Sequence, residues 1–283
     1  MVHLRRTLLY VPADNERALA KATQRGADGI IVDLEDAVAP DRKAEARQAA
    51  VAFLASADPS TTLTVRVNAA GTPWHDDDLA AVTSLPLAGV VLPKVRTGAD
   101  VTAAHAGVGL PVWPMMETAR AILNAAEIAD AAAATGSAAL VMGTNDLALE
   151  IRAPMGKDRA ALGHALQQCV LAARAAGIDV LDGVMNTITD MPALVAETYD
   201  GLNLGMTGKT VIHPCQVGPV NRIYTPTQGA VTRARETVAA LKKAESEGRA
   251  VATLKGQLIE RLHVEAAERT LALSEAISER EGA

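Results

Sequence analysis

Eight short apolar runs rich in β-branched residues alternate with Ala-rich amphipathic segments along most of this 283-residue chain. A run of strand-then-helix units predicts the α/β class, and eight such units most simply close into a (β/α)8 TIM barrel. The last part of the chain lacks strand-like runs, which predicts a C-terminal helical lid or extension. An open doubly wound sheet is the structural alternative, but no predicted strand is followed by the G-x-G-x-x-G turn of a dinucleotide fold.

The predicted strands share a length of four to six residues and an apolar character. In chain order they cover residues 7–11, 29–34, 63–67, 89–92, 111–116, 138–142, 178–181 and 201–204. Helical patterns such as ERALAKATQR and DRKAEARQAAVAFLA lie between them.

The pattern changes after Pro226. Residues 228–247 are predicted to form one long charged helix, 248–255 a loop and 258–277 a second helix, with no strand between them. We therefore expect a catalytic barrel at residues 1–225 and a helical extension at 226–283 that serves as a lid and as a subunit contact.

Composition excludes several functional classes. The formal net charge of −6 disfavours a general role in binding nucleic acid or a membrane surface. Aromatic residues make up only 2% of the chain, too few for a platform on which bases stack. No apolar run approaches the roughly 20 residues of a membrane helix. The two cysteines form no metal or disulfide pattern, so we expect a cytoplasmic protein.

Two acidic residues follow neighbouring predicted strands. Glu117 comes directly after residues 111–116, and Asp146 comes shortly after residues 138–142, in each case where a helix begins. In α/β proteins the carboxyl ends of the strands form the binding edge, and Mg²⁺ typically uses one or two carboxylates. We interpret Glu117 and Asp146 as a metal pair. The alternative is that each acid merely favours the first turn of its helix.

Further charges lie at the same edge. The second strand ends in IVDLEDAV, which brings Asp33, Glu35 and Asp36 together, and Arg66 stands inside the third strand. A buried arginine is rare unless it is paired, and its planar fork suits a carboxylate of the protein or of a substrate. An Arg66–Glu35 ion pair is the structural alternative, and both interpretations can hold. Lys94, after the fourth strand, adds a weaker signal.

Local basic residues could hold an anionic ligand. Arg17, Lys21 and Arg25 are spaced by four residues in the first predicted helix, although a solvated face is the alternative. After the predicted eighth strand, glycines flank Lys209 in a turn whose amides could bind an anion, as barrel loops after the last strands often do.

Several of these stretches together resemble the family of citrate lyase beta subunits, malyl-CoA lyases and their stand-alone relatives, within the HpcH/HpaI aldolase superfamily. The matching stretches are RRTLLYVPADNERALAKA, GADGIIVDLEDAVAPDRKAEAR, VRVN, VLPKV, PMMETARAI, MGTNDLA and GKTVIHPCQ. They cover about the first 225 residues.

The resemblance implies a Mg²⁺-dependent barrel enzyme that cleaves or forms a carbon–carbon bond in a 3-hydroxyacyl-CoA, releasing a 2-oxo acid. Carried over by position, Glu117 and Asp146 match the metal ligands and Arg66 matches the substrate-binding arginine. Glu35 and Asp36 match the acids that support that arginine. We also assign Lys94 to substrate binding.

In malyl-CoA lyases a lid aspartate in a segment resembling G-x-M-I-D-x-P reaches the site of a neighbouring subunit. The corresponding stretch here is GQLIERLH, so Glu260 stands where aspartate is expected and Leu262 where proline is expected. Glu260 is the candidate catalytic acid or base. A lid that acts between subunits implies a homo-oligomer, and the family suggests a trimer or hexamer. Arg17, Lys21 and Lys209 are the candidate contacts to the phosphates of coenzyme A.

Four functions remain open on this basis. The leading one is a stand-alone lyase acting on malyl-CoA, citramalyl-CoA or citryl-CoA, and the second is a thioesterase using the same site, which the change from Asp to Glu makes credible. The third is the beta subunit of citrate lyase, which takes its substrate on a carrier protein. The fourth is a noncatalytic scaffold, which the intact acids and Arg66 disfavour.

Overall fold

The computed structural model describes residues 3–57, 61–154 and 158–282. The chain forms two compact units, one of residues Arg5–Arg222 and the other of Met1–Leu4 with Ile223–Ala283. Whether a separately folding domain ends at residue 225 stays a prediction.

The first unit is built on a closed barrel of eight parallel strands in which each strand pairs with the next and the last pairs with the first. The strands are β1 (Thr7–Pro12), β2 (Gly29–Asp33), β3 (Thr62–Arg66), β4 (Gly89–Leu92), β5 (Val112–Met116), β6 (Ala139–Met142), β7 (Asp179–Asp182) and β8 (Gly208–Val211). The predicted (β/α)8 barrel is confirmed.

Helices connect successive strands of this barrel. They are α1 (Glu16–Leu19), α2 (Lys43–Ser56), α3 (His75–Val82), α4 (Gly98–Val108), α5 (Ala119–Leu123), α6 (Ala125–Ala134), α7 (Thr144–Glu150), α8 (Gly163–Ala176), α9 (Met191–Leu204) and, after β8, α10 (Pro214–Tyr224). Several helices begin at side chains that accept hydrogen bonds from the free backbone N–H groups of the first turn. Thr97 and Asp100 form a reciprocal capping box on α4, and Asp190 caps α9.

The barrel interior is filled by apolar side chains from alternate strand positions. Leu8, Ile31, Val91, Trp113 and Leu181 belong to one fully buried cluster. Burying each such side chain stabilises the fold by about 1.5–3 kcal/mol. The cluster supports the carboxyl ends of the strands, where the charged residues lie.

Closure between β1 and β8 depends on Gly208. The two strands pair with Thr7 opposite Lys209 and Leu8 opposite Thr210. A Cβ atom on Gly208 would lie 1.7 Å from the Arg5 carbonyl oxygen, so no residue larger than glycine fits there. Glycine is therefore required where the last strand meets the first.

The predicted strand at residues 201–204 is wrong. These residues form the last turn of α9, which the Asp190 cap and Pro192 start and Gly205 ends in a left-handed conformation. The eighth strand is instead Gly208–Val211. Its sequence GKTV contains a lysine and so lacks the apolar character of the other strands, although this lysine is buried in the structure. A four-residue run is too short for periodicity to separate strand from helix end.

The second unit contains α11 (Gln228–Ser246), a two-stranded antiparallel sheet of β9 (Ala252–Leu254) and β10 (Gln257–Ile259), and α12 (Arg261–Gly282). The predicted first helix is confirmed. The predicted second helix is confirmed as α12. The predicted absence of strands between the two helices is wrong, because a hairpin turning at Lys255 and Gly256 precedes α12 and includes residues 258–259.

The second unit has its own core. Leu241 and Ala244 of α11 bury against Ala252, Ile259 and Val264. The hairpin therefore contributes Ala252 and Ile259 to this core. In the described ranges of the chain, no helix combines the length and the apolar character needed to cross a membrane.

Candidate active site

A cavity of about 340 Å³ opens at the carboxyl ends of the barrel strands. Its lining comes from β1, β2, β3, β5, β6 and β8 and from the loops that follow them. Among the lining residues are Tyr10, Asp33, Arg66, Met115, Asp146 and Thr210. The cavity therefore lies at the edge where the sequence predicts a site.

Glu117 follows the last residue of β5 and is only 1% exposed. Its Oε1 atom accepts a hydrogen bond of 2.6 Å from the backbone N–H of Lys94. Lys94 has a positive φ of 54°, a conformation that costs energy for a residue with a side chain and is often found at functional sites. The backbone after β4 thus holds one oxygen of Glu117 in a fixed position.

The second oxygen of Glu117 is left open. Oε2 is buried and has no hydrogen-bond partner among the described residues. Gly143, after β6, makes room for it, since a Cβ atom there would lie 2.5 Å from Oε2. A buried carboxylate oxygen without a donor is costly in a folded protein, which indicates that a ligand uses it. Burial raises the pKa of Glu117, although the nearby charge of Lys94 lowers it in part.

Asp146 is the third residue of α7 and its side chain is 37% exposed. The ammonium of Lys94 lies 2.6 Å from Asp146 Oδ1 and 3.6 Å from Glu117 Oε1. The structure therefore brings the two acids of the predicted metal pair to the same ammonium group. It also places Lys94, which we predicted to bind substrate, against the acids.

This pair fits a hard divalent cation. Its donors are carboxylate oxygens, one of them buried and unpaired, and oxygen is the ligand atom that Mg²⁺ prefers. Within residues 3–57, 61–154 and 158–282, no group of three or more His, Cys, Asp or Glu side chains is arranged to hold a metal. A cation on Glu117 and Asp146 would therefore take its other ligands from water or from a bound molecule.

Arg66 is the last residue of β3 and pairs in register with Asp33, the last residue of β2. Its Nε and Nη2 atoms donate to Asp33 Oδ1 and Oδ2 at 2.7 and 2.6 Å, which makes a bidentate ion pair. Nη1 lies 2.9 Å from Glu35 Oε2 and 3.5 Å from Asp36 Oδ2. The Arg66–Glu35 contact considered from the sequence as an ion pair is present, but Asp33, which accepts two hydrogen bonds, is the stronger partner.

The acids of the β2 loop differ in their surroundings. Burial raises the pKa of Glu35 to about 8, against the charge of Arg66, which lowers it. Asp36 is 63% exposed at its side chain and lines the cavity. Lys43 at the start of α2 holds this loop, because its ammonium donates to the carbonyl oxygens of Leu34 and Glu35 at 2.7 Å each.

Three residues of this arrangement carry no role in the sequence analysis. Lys43 gives no signal, because a lysine at the start of an amphipathic helix is ordinarily solvated. Asp33 stands out only as one of three acids, and its pairing depends on strand register. Tyr10 is an aromatic residue inside a strand of a chain with very few aromatics, which is the one signal that could have identified it.

Lys209 requires a correction. Its side chain is fully buried, and its ammonium donates to Asp182 Oδ2 at 3.1 Å, to the Gly183 carbonyl oxygen at 2.5 Å and to Glu197 Oε1 at 2.6 Å. An ammonium has three protons to donate, and all three have acceptors inside the protein. The structure therefore contradicts the prediction that Lys209 contacts a phosphate.

The basic residues near the N-terminus do not share one helix. Helix α1 ends at Leu19, and a separate turn of 3-10 helix covers Ala22–Arg25. Arg17 and Lys21 are exposed, and Arg17 lines a shallow cavity of about 440 Å³ together with Arg42. Their predicted contact with coenzyme A phosphates stays a prediction.

Glu260 belongs to the second unit, between β10 and α12, and is partly buried. Its backbone N–H donates to His263 Nδ1 at 3.0 Å, and its carbonyl oxygen accepts from the His263 N–H at 3.0 Å. These bonds involve only the backbone of Glu260 and fix it just before α12. Its function as an acid or base stays a prediction.

Known proteins resemble the chain over nearly its whole length. A (3S)-malyl-CoA thioesterase of Cereibacter sphaeroides is 44% identical over 278 residues, which cover 98% of this chain and 96% of that protein. The citrate lyase subunit beta of Leuconostoc mesenteroides subsp. cremoris is 33% identical over 286 residues, covering 96% and 94% of the two chains.

Solved structures agree with these relatives. The crystal structure of CitE from Mycobacterium tuberculosis in complex with magnesium, acetoacetate and coenzyme A superimposes with a TM-score of 0.81 at 30% identity. The match covers 96% of this chain and 98% of that one. Residues 6–214, which hold the barrel and the acid pair, also match the family model described as HpcH/HpaI aldolase/citrate lyase. The chain belongs to the HpcH/HpaI aldolase/citrate lyase family.

Proposed function

We propose that this protein is a Mg²⁺-dependent enzyme that hydrolyses the thioester of a 3-hydroxyacyl-CoA such as (3S)-malyl-CoA. The carboxylate pair with its unpaired buried oxygen is the observation that carries the proposal, because a cation would supply the partner that Glu117 Oε2 lacks, next to the cavity that Asp146 lines. The choice of hydrolysis over carbon–carbon cleavage is supported by the 44% identity to a thioesterase, against 33% to a citrate lyase subunit.

Charge counting explains why a cation is needed. The carboxylates of Asp33, Asp36, Glu117 and Asp146 outnumber the cations near them, which are Arg66, Lys94 and Lys43. Glu35 adds little at neutral pH, since a carboxyl group with a pKa of about 8 is mostly protonated there. An anionic acyl group would be repelled by this excess. A divalent cation would balance it.

Glu117 and Asp146 would hold the metal. When bound, Mg²⁺ supplies positive charge that orients the hydroxyl and carboxylate oxygens of the acyl group and stabilises negative charge that develops on oxygen. Arg66 remains positively charged because Asp33 raises its pKa beyond the cost of burial, and it lines the cavity. Its guanidinium is the group we assign to the substrate carboxylate, with Glu35 and Asp36 behind it.

Hydrolysis then requires a water molecule and a base. The water oxygen adds to the thioester carbonyl carbon while the base removes a water proton, and the carbon–sulfur bond then breaks with its electrons on sulfur, so that the leaving thiolate takes a proton and becomes the free thiol. We assign the base to Glu260, which retains the carboxylate of the family's lid residue and adds one methylene. This difference from the family's aspartate is the sequence change that supports attack by water over carbon–carbon cleavage.

Carbon–carbon cleavage is the second candidate. In that reaction the base removes the proton of the 3-hydroxyl, the bond between the second and third carbons breaks, and a 2-oxo acid leaves with an acyl-CoA enolate. It is supported by the citrate lyase subunit relative and by the CitE structure that contains magnesium, acetoacetate and coenzyme A. A citrate lyase subunit that uses a carrier-bound substrate would be recognised by co-purifying partners.

A single assay separates these functions. Purified protein is incubated with malyl-CoA, citramalyl-CoA or citryl-CoA, with Mg²⁺ or with EDTA, and free thiol and 2-oxo acid are followed separately. We expect thiol without 2-oxo acid, and only with Mg²⁺. Release of 2-oxo acid with an intact thioester would replace hydrolysis by carbon–carbon cleavage. Neither product from any of the three esters would contradict both functions on free CoA esters.

Assembly is part of the proposal. A lid carboxylate that serves a neighbouring subunit requires a homo-oligomer, and we propose a trimer or hexamer in the cytoplasm. Size-exclusion chromatography with light scattering measures the mass directly. A monomer that retains full activity would contradict a lid supplied by another subunit.

A further inference from the structure

Tyr10 has no role in the proposed function so far. It is the fourth residue of β1, and its side chain packs on the same interior cluster as Leu8, two residues earlier. Alternation along a strand sends both side chains into the barrel. Because the ring lies near the carboxyl end of β1, Tyr10 reaches the cavity that Arg66 and Asp146 also line.

The hydroxyl group of Tyr10 has a poor partner. In the described part of the chain, the acceptor it meets is the sulfur of Met115, 3.9 Å away. A thioether is a weak acceptor, and a hydroxyl normally finds an oxygen at about 2.7–2.8 Å. The Tyr10 hydroxyl therefore faces the cavity with its hydrogen-bonding capacity largely unused.

The ring is held in place before any ligand binds. The guanidinium carbon of Arg66 lies 5.0 Å from the centre of the Tyr10 ring, a cation–π contact. Arg66 is itself fixed by both oxygens of Asp33. A donor whose direction is set in advance loses no freedom when a substrate arrives, which is the arrangement that stabilises developing charge most effectively.

The group is a donor and not a base. Burial raises the pKa of the Tyr10 hydroxyl, and the charge of Arg66, which lowers it, does not outweigh burial and the acids Asp33, Glu117 and Glu35. The hydroxyl therefore keeps its proton at neutral pH. It can donate a hydrogen bond but cannot take a proton from a substrate.

We infer that Tyr10 is a catalytic residue whose hydroxyl donates a hydrogen bond to the thioester carbonyl oxygen of the bound substrate. The inference rests on the proposed function, but it does not depend on which reaction occurs. In hydrolysis this oxygen carries the negative charge after water adds to the carbon. In carbon–carbon cleavage the same oxygen carries the charge of the enolate.

Tyr10→Phe is the matched substitution, because it keeps the ring and its contact with Arg66 and removes only the hydroxyl. We expect kcat to fall about 100-fold, in line with the loss of one such donor, while KM changes little. The melting temperature should stay the same, since a hydroxyl 3.9 Å from a sulfur contributes little to stability. Tyr199→Phe, at a half-exposed tyrosine on α9, is the control and should leave both quantities unchanged.

Each outcome decides the inference. Unchanged kcat in Tyr10→Phe, on a thioester that the wild type turns over, would overturn it and leave the proposed function standing. A parallel loss of kcat and melting temperature would also overturn it, by showing a structural role; Tyr10→Leu, which removes the ring as well, sets the size of that effect. A wild-type protein that turns over no thioester would overturn the proposed function, and this inference with it.

Discussion

Two parts of the barrel's carboxyl-terminal rim each bury a carboxylate at a strand end, and they are built differently; we call the part at β7 and β8 the satisfied edge and the part at β5 and β6 the open edge. At β7 and β8, Asp182 accepts hydrogen bonds from Lys209, from Arg159 at 2.5 Å and from the Gly183 N–H at 2.8 Å. At β5 and β6, Glu117 is equally buried, yet one of its oxygens has no donor in the described part of the chain. Both oxygens of Asp182 therefore have donors, whereas Glu117 keeps one oxygen without a donor.

The difference teaches how a structural charge is told from a functional one. A charged residue at a strand end draws attention in the sequence at both edges, which is why Lys209 was predicted to bind phosphate. In the structure, Lys209 has an acceptor for each of its three protons. The unused acceptor on Glu117, and not its charge or position alone, is what separates it from Lys209.

The largest expected effect breaks the satisfied edge. Asp182→Asn removes the charge that faces the buried Lys209 and Arg159, and leaving buried cations short of a partner typically costs about 3–5 kcal/mol. Urea unfolding should show this loss. The control is Asp179→Asn on the same strand, whose side chain is 27% exposed and which should lose less than about 1 kcal/mol. Equal losses in the two variants would remove the distinction between a buried network and a surface pair.

The same kind of substitution at the open edge should have the opposite effect on stability. Glu117→Gln keeps the shape and removes a charge that burial disfavours, so the protein should be at least as stable as the wild type. Turnover should fall about 100-fold or more, because the cation loses a ligand. Glu150→Gln is the control: this exposed acid on α7 accepts a hydrogen bond from the Ala119 N–H, which the glutamine side-chain oxygen can also accept, so the substitution should change neither quantity. A strong loss of stability in Glu117→Gln would place Glu117 among the structural charges.

Glu35 sharpens the comparison through pH. Its pKa is about 8 in the folded protein and near 4.5 in an unfolded chain, so between these values the folded state holds a proton that the unfolded state has lost. Stability should therefore fall as pH rises through this window, by at most about 1.4 kcal/mol per pH unit from this group. Urea unfolding between pH 5 and 8 measures the slope.

Glu35→Gln should flatten that slope, while Glu45→Gln, a 67% exposed acid on α2, should retain it. A slope that is the same in all three proteins would show that Glu35 does not hold a proton at neutral pH.

The smallest effect concerns the exposed bases. Arg17→Ala and Lys21→Ala should each raise the KM for a CoA ester by about threefold with kcat unchanged, because exposed charges act weakly and through solvent. The effect should disappear in high salt. Arg120→Ala, at an exposed residue of α5, is the control. Unaltered KM values in both variants would remove these residues from the coenzyme contacts.

The barrel could be predicted because each strand-and-helix unit has its own local signal. Residues 201–204 were misassigned because GLNL fits a strand end and a helix end equally well, and only the Asp190 cap, eleven residues earlier, decides between them. The true β8 could not be recognised, since Lys209 reads as a surface residue until Asp182 and Glu197 are placed beside it.

The site divides in the same way. Glu117 and Asp146 could be predicted because strand ends meet at one edge by rule. The bidentate ion pair between Arg66 and Asp33 depends on the register of β2 and β3, which sequence periodicity does not give. The open acceptor on Glu117 depends on the absence of a side chain at Gly143, twenty-six residues away. Such facts exist only once the strands are assembled.

The most direct test of the central claim is calorimetric titration of Mg²⁺ into the wild type, Glu117→Gln, Asp146→Asn and Glu150→Gln. If the open edge is the cation site, the wild type and Glu150→Gln bind one ion per chain, and the other two variants lose that binding while remaining folded. Undiminished Mg²⁺ binding in both Glu117→Gln and Asp146→Asn would contradict the account, because the open acceptor would then serve no cation.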